Sequence, residues 1–250
     1  MDFSDKALIF KLGKFREADL WVRMLSPSRG IYTAFAFGGS RSIRRFCGCL
    51  DLLNTVQVRV EASRTKEYMV LGEASLLACP NRLRTDLGRL GMAVNCLKFM
   101  EAFNVSSDSA LVSYKLVRDL LDLLDSEVSP PSLLPSLFRF RFAALQGFAP
   151  HIHSCRLCGF TFCRSSYLYF QTAEGGTLCA ACVHKSRPGP CVRLGPEALS
   201  ALQTVQTQQP RDWSSLDFNG EVRAQCAEVI DGFIQYHVGL VWNGGYFRRV

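Results

Sequence analysis

Cys155-Arg156-Leu157-Cys158, then twenty residues, then Cys179-Ala180-Ala181-Cys182: the organisation of this 250-residue chain turns on that stretch. Two Cys-x2-Cys knuckles bring each pair of sulfurs to one point without backbone strain, and four thiolates satisfy a tetrahedral Zn²⁺ at about 2.3 Å. The separation is near that of zinc ribbons. Between the knuckles, Tyr167, Tyr169 and Phe170 suit one strand, Gly175-Gly176 a turn, and Thr177-Leu178 the return. Cys163 and Cys191 are alternative ligands, and His151 and His153 weaker ones. Four protein ligands leave no position for water, so the expected cofactor is one structural Zn²⁺. Four buried free thiols fit the paired spacing poorly.

Helical periodicity lies on both sides of this finger. Leu83, Leu87, Leu90, Val94 and Leu97 recur at spacings of four and three, which lines one face of a helix from Asn81 to about Phe103. A second helix is expected over 109–125, with Leu116, Leu120, Leu123 and Leu124 apolar, and a third over 132–147, with Leu133, Leu137, Phe140 and Ala144. Beyond the finger, helices over 196–206 and 219–238 return to complete a bundle, the last burying Val222, Cys226, Val229 and Phe233.

The first 80 residues have period two instead. Leu20, Val22 and Met24 alternate with Asp19, Trp21 and Arg23, and Val56, Val58 and Val60 with Gln57, Arg59 and Glu61. Extended segments near 6–12, 18–25, 30–37, 52–61 and 67–77 give five short strands, which fit a small closed barrel better than a sandwich. The expected class is α+β. Its parts are a barrel over 1–80, a helical domain over 81–150 and 196–250, and a four-cysteine zinc-finger insertion over 151–195.

Charge singles out two of these parts. The net +7 resolves into +4 on 1–80, +1 on 81–150, +4 on 151–195 and −2 on 196–250. Local concentration of Lys and Arg, more than the total, makes a phosphate-binding surface. The amino terminus lacks the layout of a secretory signal and no apolar run approaches the about 20 residues of a membrane helix, so a cytoplasmic protein with no membrane partner is expected.

Phosphate-loop, Gly-x-Ser-x-Gly and His-Glu-x2-His signatures are missing from the sequence, and the four histidines are not paired with carboxylates in any recognisable pattern. A binding protein, not an enzyme, and no small-molecule substrate are therefore expected. The basic loop Gly38-Gly39-Ser40-Arg41-Ser42-Ile43-Arg44-Arg45-Phe46 offers three guanidinium groups from a flexible segment, and Arg23, Arg59, Arg64 and Lys66 add charge on strands and turns. Guanidinium groups grip phosphate oxygens bidentately. Trp21, Phe35 and Phe37 interleave with them, and two roles are open to these rings: stacking platforms for unpaired bases, or barrel core.

The layout resembles the RecO family of bacterial recombination mediators. The resemblance is carried by Ala7-Leu8-Ile9-Phe10, Glu17-Ala18-Asp19-Leu20, the Gly-Ile-Tyr-Thr strand from Gly30, Arg44-Arg45-Phe46 and Leu83-Arg84-Thr85-Asp86-Leu87. The Phe138–Phe142 helix then leads through Gly147-Phe148-Ala149-Pro150 into the four-cysteine finger. It implies an N-terminal OB-fold, a helical domain and a zinc finger. It also implies binding of single- and double-stranded DNA, annealing of complementary strands, and joint work with RecR and single-strand-binding protein, through the latter's C-terminal tail, in loading the recombinase at the nucleoid. By position, Arg41, Arg44 and Arg45 match the family's basic loop, and Cys155, Cys158, Cys179 and Cys182 its finger. Where the family usually has Lys before the loop glycine, this chain has Phe37. The competing readings are a zinc-ribbon scaffold that contacts RNA or an acidic protein, and, third, a zinc nuclease.

Overall fold

The computed structural model describes residues 2–103, 105–162, 167–186 and 188–250. The chain divides into two compact units, residues 1–87 with 104–121, and residues 88–103 with 122–250.

The first unit is built on five strands: β1 (Phe3–Lys14), β2 (Leu20–Ser26), β3 (Gly30–Ala36), β4 (Thr55–Ala62) and β5 (Met69–Ala78). They close into a barrel in the order β1-β2-β3-β5-β4. β1 serves two neighbours: Phe3–Leu8 pair with β4 and Leu8–Lys14 with β2, and an irregularity between Ile9 and Lys11 lets the long strand turn from one to the other. The parallel pairing of Ala34 with Met69 and Phe35 with Val70 closes the ring. Alternation places Ile9, Val22, Met24, Ala34, Ala36, Val56, Val58 and Leu71 inside, which sends Trp21, Arg23, Phe35 and Arg59 outward. The barrel expected from periodicity is therefore present, with the strand order of an OB-fold.

The basic loop, expected as a flexible exposed segment, exposes Arg41, Arg44 and Arg45 and also contains a turn of helix. Ser42 caps a single turn, α1 (Ile43–Phe46), by accepting from the Arg45 amide, and Phe46 is buried in the barrel core. The loop therefore has a packing role that its glycines hid. Gly30 shows a different constraint: its φ is +74°, and an added Cβ would lie 2.1 Å from the Val105 carbonyl oxygen, which accepts from Ile31 N–H at 3.1 Å.

The helix expected from Asn81 to Phe103 is broken. α2 (Asn81–Thr85) stops at Asp86, whose backbone is extended (φ −110°, ψ 106°), and α3 (Leu87–Glu101) restarts in a new phase. Leu87 is consequently 84% exposed, and the buried stripe is Ala93, Cys96, Leu97, Phe99 and Met100. α4 (Ser107–Asp125) buries Leu116, Leu120, Leu123 and Leu124 as its period requires.

In the second unit α5 (Leu134–Leu145) is buried on nearly every side through Leu134, Leu137, Phe138, Phe140, Phe142 and Ala143, so it is the bundle's central helix more than an amphipathic surface one. Its two arginines reach carbonyl and side-chain acceptors at the rim: Arg141 donates to Gln206 O, and Arg139 to Ser136 Oγ at 2.6 Å and to Asp231 at 3.1 Å. The finger contributes β6 (Leu168–Gln171), β7 (Gly176–Leu178), the short α6 (Ala180–Val183) and β8 (Cys191–Leu194), in the sheet order β7-β6-β8. α7 (Pro196–Thr207) and α8 (Gly220–Phe233) follow, then a wider turn over Ile234–Val238 and a terminal hairpin, β9 (Leu240–Asn243) and β10 (Tyr246–Arg249). Neither β8 nor this hairpin is legible in the sequence. Among the described residues no helix is long and apolar enough to cross a membrane.

Candidate nucleic-acid interface and metal centre

The four finger cysteines converge. The Sγ atoms of Cys155, Cys158, Cys179 and Cys182 all lie within 4.8 Å of one another, and those of Cys158 and Cys179 are 3.8 Å apart. A tetrahedron with metal–sulfur bonds of about 2.3 Å has sulfur–sulfur edges of about 3.8 Å, so the cluster has the dimensions of a site in which four cysteines hold a single ion. Local backbone produces this convergence. Gly159 adopts φ +72° and donates to Cys155 O at 2.9 Å, Cys155 N–H donates to Phe160 O at 2.9 Å, and Cys182 N–H donates to Cys179 O at 3.0 Å. Burial pushes the Cys155 thiol up, but hydrogen bonds from the Cys179, Cys158 and Leu157 amides and from the Cys158 side chain outweigh it and bring it to about 6. Cys182 shows the reverse: hydrogen bonding of its thiol to Cys179, with burial and the other two sulfurs, pushes it up to about 12. Crowded sulfurs that cannot all ionise together are what a divalent cation relieves.

Cys191, His151 and His153 lie apart from this cluster. Cys191 begins β8, paired with Gln171. His151 Nε2 faces Ser154 Oγ at 2.8 Å, and His153 Nε2 faces Gln206 Oε1 at 3.1 Å. Cys163 lies outside the described residues. The finger is also sewn into the bundle: Gly195 N–H donates to Gln225 Oε1 at 2.9 Å, and His237 Nε2 lies 2.7 Å from Thr172 O.

On the barrel, Trp21 and Phe35 are cross-strand partners on the outside of β2 and β3. The Trp21 indole lies against Gly13, where an added Cβ would come within 2.7 Å of the ring. Phe35 and Phe37 are half-buried, yet not in the core. Phe15 lies at 5.1 Å from Phe35 and 6.0 Å from Phe37, and Tyr68 at 5.5 Å and 6.3 Å from the same two rings, all edge-on. Phe15 and Tyr68 are about 40% exposed, at 39% and 42%. Phe15 belongs to the β1–β2 loop and Tyr68 to the β4–β5 loop, the two loops that with the β2–β3 face form the nucleic-acid surface of many OB-folds. Periodicity could not reveal either ring, because each stands just outside a strand; an aromatic beside a cation in a turn, as in Phe15-Arg16, is the signal available.

Cations border this surface. The Arg16 guanidinium lies 5.6 Å from the Phe15 ring and that of Arg23 5.9 Å from the Phe10 ring. Arg64 and Lys66 are exposed on the β4–β5 turn, which Ser63 ties together by accepting from the Glu67 amide at 3.2 Å. The basic loop is partly engaged within the protein: Arg41 pairs with Glu17, and Arg45 donates to Phe37 O. Arg59 pairs with Glu61 at 3.1 Å, and Arg44 is exposed. Arg44, Arg45 and Arg59 meet around one groove, whereas Trp21, Phe35 and Phe37 belong to the outer surface of β2 and β3.

Comparison with known proteins accords with this architecture. The family described as Recombination protein O N terminal matches residues 1–79, and that described as Recombination protein O C terminal matches residues 84–244. A DNA repair protein RecO of Nitratidesulfovibrio vulgaris strain DP4 is 47% identical over the full length of both chains, and that of Oleidesulfovibrio alaskensis strain G20 46% over the full length of both. The more distant DNA repair protein RecO of Thermobifida fusca strain YX is 26% identical over 94% of this chain and 93% of that protein. A barrel of this strand order, followed by helices around a four-cysteine finger and matched end to end by these relatives, belongs to the RecO family.

Proposed function

We propose that this chain is a non-enzymatic recombination mediator that binds single- and double-stranded DNA, anneals complementary strands and acts with RecR to load the recombinase. The observation that carries the reading is the cluster of Phe15, Phe35, Phe37 and Tyr68 on the outer barrel surface, bordered by Arg16, with Arg23 farther along the outer face of β2. Unpaired bases stack on such rings for about 1–3 kcal/mol each, and flanking cations hold the backbone without reading sequence. Two polyanionic strands repel, so a basic surface that holds both lowers the barrier to their pairing. Arg23, Arg59, Arg64 and Lys66 and the Arg41, Arg44 and Arg45 loop supply that charge, with Trp21 and Phe37 among the stacking groups.

The finger holds one structural Zn²⁺ through Cys155, Cys158, Cys179 and Cys182; when bound, the ion neutralises the clustered thiolates and fixes the two knuckles. In the helical unit, a pocket of about 280 Å³ is lined by Ile234, Leu240, Trp242 and Phe247 with Arg139, itself paired with Asp231 at 3.1 Å, at its side; a peptide carboxylate that displaces Asp231 from Arg139 fits there, and we assign the apolar tail of single-strand-binding protein to it.

The test is anisotropy of a labelled oligothymidine. Wild-type protein should bind it, and Phe15→Ala with Tyr68→Ala should weaken binding about thirtyfold or more, two lost stacking contacts being worth at least about 2 kcal/mol. Equal affinity of the variant and wild type would remove the aromatic surface from the account.

A further inference from the structure

The ring order β1-β2-β3-β5-β4 makes β4 a neighbour of β1 and β5 and of neither β2 nor β3. Outward side chains of β4 therefore leave the barrel in a different direction from Trp21 and Phe35 on β2 and β3. On the β4 side lies a groove of about 360 Å³ lined by Arg44, Arg45 and Arg59 together with Ser4, Gln57 and Ser75. No aromatic ring lines it among the described residues. It thus offers guanidinium groups, hydroxyls and an amide to an anion, but nothing on which a base can stack. The aromatic cluster has the opposite chemistry, four rings and few cations.

The groove's cations are held by replaceable partners. Arg59 is shared with Glu61 at 3.1 Å, side chains that are 55% and 41% exposed; Arg45 donates to the Phe37 carbonyl, where the groove comes nearest the aromatic surface; and Glu73 also lines the groove. Exposed pairs of this kind contribute about 0–1 kcal/mol, so phosphate oxygens, which take a guanidinium bidentately, displace them at small cost.

We propose that the barrel carries two separate nucleic-acid tracks: a stacking track on the Phe15, Phe35, Phe37 and Tyr68 surface that takes an unpaired strand by its bases, and a phosphate track in the Arg44, Arg45 and Arg59 groove that takes a second strand by its backbone alone. This rests on the reading of the barrel as a DNA-binding surface. A strand held by its backbone keeps its bases free to pair, so the groove presents one strand while the aromatic surface delivers the other. The groove accepts duplex as readily as single strand, since nothing in it depends on unpaired bases.

Two oligothymidines of about 15 nucleotides, which cannot pair with each other, carry a donor and an acceptor dye in the test. Wild-type protein should bring them together and produce energy transfer. Arg44→Ala with Arg59→Ala, two exposed positions, should abolish the transfer and lower the stoichiometry at saturation from two strands per chain to one, the remaining strand being held by the stacking contacts. Displacement of the first strand by the second, or transfer unchanged in the variant, would overturn the two-track proposal while leaving single-strand binding standing. Failure of wild type to bind either strand would overturn the underlying reading as well. Cys47, exposed beside the groove, gives a readout free of mutations: an abasic strand of the same length should slow its alkylation in wild type, and an unaltered rate would contradict phosphate binding there.

Discussion

Glu17 occupies the Arg41 guanidinium in the free protein, and a phosphate must displace it. Both side chains are well exposed, 66% for Arg41 and 84% for Glu17, which puts the pair in the range of about 0–1 kcal/mol. Glu17→Gln should therefore raise affinity for oligothymidine by up to about fivefold at low salt, read by anisotropy; lower affinity would mean that Glu17 positions the loop instead of competing with DNA. Gly30 carries the opposite kind of constraint. Gly30→Ala forces a side chain into a positive-φ position against the Val105 carbonyl, and should cost at least about 2 kcal/mol in urea unfolding. At this scale the convergence of Cys155, Cys158, Cys179 and Cys182 was legible, because their spacing is local. Phe15 and Tyr68 were not, because rings in turns have no period and acquire a role only when the barrel closes. Phe35 and Phe37 were legible as aromatic, but their outward placement depends on Ala34 and Ala36 taking the core positions between and beside them.

Elements diverged from expectation where a single backbone break or a long-range pairing decides the outcome. Asp86 in an extended conformation divides what a spacing of fours and threes presents as one helix, and that break shifts the phase of everything up to Glu101. β8 is four residues long and gains its strand identity only by pairing with β6, so no local alternation marks it. α5 was legible as a helix, while its all-round burial follows from α7 and α8 packing on it, which sequence order does not reveal. Phe140, fully buried on α5, should cost about 3–5 kcal/mol when replaced by Ala, measured by chemical denaturation. The finger's links to α8 at Gln225 and to the wider turn after it at His237 carry a further consequence. Chelation, or Cys155→Ser with its loss of about one zinc per chain in metal analysis, should lower the melting temperature of the helical unit and not only disorder the finger. An unchanged melting temperature would show that the finger folds without metal.

For the whole molecule, net charge alone separated little; its location did more. The +4 of residues 1–80 now belongs to a barrel whose cations border an aromatic surface and fill a separate groove. The +4 of residues 151–195 is partly engaged inside the finger: Arg156 donates to Glu174 O, and Arg193 lies 3.9 Å from the Tyr167 ring. The barrel, more than the finger, is therefore the expected DNA surface. In the proposed function this surface speeds the pairing of two strands with no chemical step. Pairing of complementary oligonucleotides, followed by dye quenching without nucleotide, tests it directly. Pairing should be faster with wild-type protein, the acceleration should be lost with Phe15→Ala and Tyr68→Ala, and the strands should be recovered intact. Pairing at the protein-free rate, or cleaved strands, would contradict it.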